Sequence, residues 1–156
     1  MKNRRRTRLG WVVMVAIELG LLAGCRVTAT VIRHDEQRAA SEAAQILSLV
    51  YIARDYDRAS ERMHPERRVA RDELARLVAR VEAEHGAVQG IARDSFLPMP
   101  GQNAMSLFFT ADNEKGSTYH RVTVLGDADG YRVTGVDVQG EPYPLEQLRQ
   151  AFRQSQ

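Results

Sequence analysis

After position 35, apolar residues first recur at three- and four-residue steps and later at two-residue steps, which divides the chain into helices followed by strands. From Asp35 to Arg54 the set Ala39, Ala43, Ile46, Leu47, Val50 and Tyr51 stacks on one face of a first helix. Asp55-Tyr56-Asp57 interrupts that pattern, and Tyr56 to Met63 predicts a short second helix that Pro65 prevents from running on. Leu74, Leu77, Val78 and Val81 give a third apolar face between about Arg71 and His85. Asp72 and Glu73 fall in its first turn, where the helix dipole favours acids, and Gly86 stands past its end as a stop.

Beyond Gly86 the period becomes two, with turn residues between the runs. Strands are predicted over 87–97, closed by Pro98 and Pro100, and over 104–111, 118–125 and 131–138. Asp112-Asn113-Glu114-Lys115-Gly116 and Gly126-Asp127-Ala128-Asp129-Gly130 read as hairpin connections, which gives an antiparallel meander. Leu145, Leu148 and Phe152 recur at helical spacing in the tail from Pro144, the pattern of a short closing helix. Helices first and a four-stranded meander afterwards predict an α+β domain over 35–156, its N-terminal helices packed on a curved antiparallel sheet. Phe108 and Phe109 are adjacent, so one enters the helix-covered core while the other faces outward. The outward ring meets either a partner or the closing helix.

The first 25 residues follow another logic. A basic MKNRRRTR leads into 15 largely apolar residues, Leu9 to Ala23, and small residues then precede Cys25, the order of a secretory signal peptide. The apolar stretch falls short of the ~20 residues that span a bilayer, and it contains Glu18. Leu22-Ala23-Gly24-Cys25 resembles the lipobox of bacterial lipoproteins. That resemblance implies cleavage between Gly24 and Cys25, a diacylglyceryl group on the Cys25 sulfur and acylation of the new amino terminus, an anchor of palmitate-like chains. Each buried methylene adds roughly 0.8 kcal/mol, so two or three chains hold firmly. The competing reading is an uncleaved signal anchor with an incidental cysteine. In that family an aspartate after the cysteine tends to retain the protein at the inner membrane. Arg26 therefore implies the periplasmic face of the outer membrane in a host that has one. The organisation expected is a signal peptide over 1–24, the lipidated cysteine with a short tether over 25–34, and the domain from 35.

Composition changes the picture in two ways. Five of the 22 basic residues and one of the 20 acidic ones precede residue 25, so the remainder carries 17 against 19, a formal −2. A nucleic-acid binder keeps a basic surplus, so no nucleic-acid partner is expected. The single cysteine excludes an internal disulfide framework, and four scattered histidines lack the spacing of a metal cluster, so no metal and no cofactor is expected. Asp127 and Asp129 read as turn residues, since the rest of a calcium loop is missing.

The element order over 35–139, together with the "ARDYDRAS…MHPE" phrasing, resembles the cone-shaped fold shared by nuclear transport factor, ketosteroid isomerase and scytalone dehydratase, and in particular small secreted lipoproteins of that superfamily. Enzymes of that fold place a carboxylate, histidine or tyrosine inside an apolar cone, where burial shifts pKa values. Strict alternation puts His120 with Val122 and Val124, Asp94 with Val88, Ala92 and Phe96, and Asp137 with Tyr131 and Val133. These three are the acid–base candidates. A lone histidine on an apolar face more often packs than reacts, and acids near strand ends more often cap turns. The leading expectation is a lipid-anchored, non-enzymatic module that binds a protein partner, itself or a small apolar ligand. The alternative is a lyase or isomerase using His120 with a carboxylate of the sheet.

Overall fold

The computed structural model describes residues 34–99 and 102–154. Of the signal peptide and tether expected over 1–34, all but His34, including Gly24 and Cys25, lie outside the described residues.

Asp35 starts the first helix, α1 (Glu36–Leu47), by accepting a 3.0 Å hydrogen bond from the Arg38 amide, which satisfies a donor that a helix start leaves open. The pattern predicted one helix through Arg54. Instead the last six residues, Ser48–Ala53, widen into a π-helical turn that keeps Val50 and Tyr51 buried. Arg54 closes it in the left-handed conformation at φ 54°. Asp55 caps α2 (Tyr56–Arg62) through the Arg58 amide, a 3₁₀ turn follows at Pro65–Arg67, and α3 (Arg71–His85) runs to Gly86. Gly86 has φ 79°, and a Cβ there would meet the Glu114 side chain at 2.7 Å, so glycine is required both for the turn and for the close approach of the hairpin turn that carries Glu114.

The four strands are β1 (Val88–Pro98), β2 (Ala104–Asn113), β3 (Gly116–Asp127) and β4 (Gly130–Gln139), hydrogen-bonded in chain order as an unclosed, curved antiparallel sheet. The fold is α+β with helices packed on a sheet, as the change of period predicted. Two-residue turns join β2 to β3 and β3 to β4, with Gly116 and Gly130 both at positive φ. At the second turn the Asp127 carboxylate accepts the amides of Asp129 and Gly130, each at 2.9 Å, so this acid serves the turn.

Three bulges interrupt strict alternation: β1 carries an extra residue at Gln89 and another at Asp94, and β4 carries one at Thr134. Each moves the following residues to the other face. The inner face, which includes Met105, Leu107, Phe109, Val122, Val124 and Val133, forms one core with α1, the π turn, α2 and α3. β2 is buried on both sides, every residue from Ala104 to Phe109 being out of solvent. Phe109 joins the helical core and Phe108 faces outward, yet Phe108 is only 3% exposed. Its cover is the tail: the Tyr143 ring meets Phe108 edge-on at 5.2 Å, and Arg149 of α4 (Leu145–Gln154) donates to the Ser95 hydroxyl of β1 at 2.8 Å. Leu145, Leu148 and Phe152 of α4 are half-buried, at the spacing the sequence predicted.

The sheet's two edges are occupied differently. β1 bears its two bulges and ends in Pro98, while β4 is met by the chain leaving α2: Met63 bridges Val133, and the His64 amide donates to the Val133 carbonyl at 2.8 Å. Among the described residues no helix is long and apolar enough to cross a membrane.

Because both faces of β2 are buried, Phe108→Ala is expected to cost about as much as Phe109→Ala, each roughly 3–5 kcal/mol in urea-induced unfolding. A loss below about 0.5 kcal/mol for Phe108 alone would mean that the tail leaves the outer face bare.

Candidate functional site

His120 occupies the middle of β3, opposite Phe109 of β2 and Val138 of β4, and it is fully buried on the inner face. It does not stand alone. Its Nε2 lies 3.1 Å from the hydroxyl of Thr118, two residues earlier on the same face, and that hydroxyl accepts from Asn113 Nδ2 at 2.9 Å across the hairpin. The Asn113 amide also donates to the Ala111 carbonyl at 3.1 Å. From the helical side the π turn brings Tyr51 edge-on to the imidazole, ring centroids 5.0 Å apart and planes at 79°. A short polar chain, Asn113–Thr118–His120, thus runs through apolar surroundings with an aromatic ring across its end.

Burial sets the electrostatics of this chain. Removing the imidazolium from water lowers the His120 pKa from 6.5 to about 4, so the ring is neutral near pH 7. The same desolvation raises the Tyr51 hydroxyl well above its ordinary value, against a smaller opposing effect of the Arg80 charge. Tyr51 Oη, His120 Nδ1 and Asn113 Oδ1 are each buried without a protein partner. Leaving such a group unsatisfied costs about 1–3 kcal/mol, so the cluster lowers stability relative to an apolar filling.

The two carboxylates expected to work with His120 lie on the other face. Asp94 is itself the extra residue of a bulge, and its side chain accepts from the Thr110 hydroxyl at 2.6 Å on the outer side. Strict alternation put Asp137 with Tyr131 and Val133, but the bulge at Thr134 reverses the face of everything after it, so Val136 and Val138 point inward and Asp137 outward. There one Asp137 oxygen accepts Arg121 Nε at 3.1 Å and Nη2 at 2.8 Å, and the Arg121 guanidinium lies 5.8 Å from the centre of the Tyr143 ring. The sheet therefore separates His120 from both acids.

The residues that do join His120 escaped sequence reading for separate reasons. Tyr51 counted as core by its spacing, and Asn113 fell in a stretch read as loop because β2 runs two residues further than its apolar pattern. Thr118 was the legible one, in phase with His120, Val122 and Val124.

Beside this interior lies an open groove of about 400 Å³ between α3 and β4. Met63, Val69, Leu74, Leu77 and Val136 make its apolar lining, and Glu73, Arg76 and Arg80 of α3 supply the charged part. Met63 is fixed there by its bridge to Val133, and Val136 faces inward because of the Thr134 bulge. A cleft of about 280 Å³ at the β3–β4 hairpin is walled instead by charges that are largely paired, Glu42 with Arg62 at 2.9 Å and Asp127 with Arg132 at 3.4 Å. Compared with protein-family models, curated proteins and solved structures, the chain matches none.

The low His120 pKa gives a pH dependence of defined sign. Between about pH 6.5 and 4 the unfolded chain binds a proton that the native state excludes, so the stability tied to neutral His120 is complete above 6.5 and is lost as the pH falls towards 4. The total is on the order of 3 kcal/mol. Urea unfolding from pH 7 to 5 should show this decline in the wild type and a flatter profile in His120→Leu; parallel profiles would mean that the imidazole is not held neutral.

Proposed function

We propose that this protein is a lipid-anchored binding module of a bacterial envelope that holds a small apolar ligand in the groove between α3 and β4. The observation that carries the reading is a groove with five apolar lining residues toward which no acid–base pair converges. Its volume falls within the range usual for small-molecule sites, and five of its eight lining residues are apolar while three are charged and able to fix orientation. The order of helices followed by an antiparallel meander, which the chain has in common with the cone-shaped folds, supports a concave site between helices and sheet. A lyase or isomerase built on His120 lacks its carboxylate, because Asp94 and Asp137 stand behind the sheet. The anchor rests on the order of basic, apolar and small residues before Cys25 and on the likeness of Leu22-Ala23-Gly24-Cys25 to a lipobox.

The two halves of this reading are separately testable. Intact mass of the membrane-extracted protein should show loss of residues 1–24 with added acyl mass, both abolished by Cys25→Ala; an unmodified full-length chain from the wild type removes the anchor. Native mass spectrometry of the released protein should show a bound small molecule. Leu77→Arg, which sets a charge in the apolar lining, should empty the groove, and a ligand retained by that variant would place the binding elsewhere.

A further inference from the structure

We propose that the ligand of the α3–β4 groove is a single-chain amphiphile with a carboxylate head, its chain against Val69, Leu77 and Val136 and its head held by Arg76 and Arg80. The inference rests on the groove being a ligand site, as argued above, and specifies the chemistry of what enters it.

Arg76 and Arg80 are four residues apart on α3, which puts them on one face with side chains about 5–6 Å apart at Cβ, and both line the groove. Several arginines are engaged by acids: Arg54 with Glu82, Arg62 with Glu42, Arg93 with Glu36, Arg121 with Asp137 and Arg149 with Glu146. Arg76 and Arg80 also have acids at helical spacing, Glu73 three residues before Arg76 and Glu84 four after Arg80. Neither arginine forms a salt bridge with them, and Glu84 lies 3.7 Å from His85 instead. The two guanidinium groups are left at a groove of mixed apolar and charged lining, where the opposing charge is Glu73.

That arrangement suits one kind of occupant. Guanidinium groups recognise a two-oxygen planar anion by paired, charge-assisted hydrogen bonds, and such bonds strengthen as the surroundings become less polar. Two arginines against one glutamate leave a net positive charge, which disfavours a cationic head and leaves a neutral one without a partner for the guanidiniums. A groove of about 400 Å³ accommodates one unbranched chain, whereas a two-chain phospholipid exceeds it. The Arg80 charge is also felt at the buried Tyr51 hydroxyl, so this exposed arginine lies within electrostatic reach of the core.

The test uses the full chain in lipid nanodiscs with two photoreactive probes of the same medium chain length, one a fatty acid and the other the corresponding fatty alcohol, and reads the labelled peptides by mass spectrometry. The fatty acid should label peptides containing Met63, Leu77 or Val136 at least about tenfold more than the alcohol. The double variant Arg76→Gln with Arg80→Gln, both at exposed helical positions that glutamine suits, should bring the acid down to the level of the alcohol. Equal labelling by both probes in the wild type would overturn the carboxylate assignment and leave the groove as a site for neutral apolar ligands. Preferential acid labelling that survives the double variant would overturn the role of the two arginines, and no groove labelling by either probe would remove the groove reading itself.

Discussion

A strand buried on both sides is the constraint from which the rest follows. β2 places six consecutive residues, Ala104 to Phe109, out of solvent, so neither face of the sheet can be left to water. One face is closed by the three N-terminal helices and the π turn, with Phe109 and Leu107 in their core; on the other the tail covers Phe108, with the Tyr143 ring against it. Slipping β2 by one residue would exchange Phe108 and Phe109 between two differently shaped environments, so the register is fixed from both sides. The polar edge of the molecule then falls where cover ends, at the hairpins and along the exposed faces of α1 and α3.

Period and punctuation made most of this architecture legible. Helical spacing located α1, α3 and α4, two-residue alternation located all four strands, and the Gly116 and Gly130 turns located the hairpins. The bulges were not legible. A bulge is a mismatch between two strands, and a single strand read alone carries little sign of it: Thr134 and Asp94 are ordinary strand residues until their partners are counted. That local miscount inverted the faces of Asp94 and Asp137 and, with them, the acid–base site that alternation suggested. His120, on the unbulged strand β3, lies on the face that alternation assigned.

The interior polar chain and the neighbouring groove are two different uses of the same helix–sheet interface. Asn113, Thr118 and His120 place hydrogen-bonding capacity inside at a cost to stability, and their neutral forms keep formal charge out of the core. The groove places apolar side chains at the surface among the charges of Glu73, Arg76 and Arg80. Both depend on the same bulge, since Thr134 turns Val136 towards the groove and Val138 towards His120.

An unclosed sheet has two rows of backbone groups able to pair with a strand from another molecule, the route by which β proteins polymerise. Here the twisting bulges and Pro98 spoil the template at β1, and the Met63–His64 segment occupies part of the template at β4. Recruiting a foreign strand at Val133 would first require peeling that segment away, together with the anchor of α2. The sheet is thereby protected against fibre-like growth without being closed into a barrel.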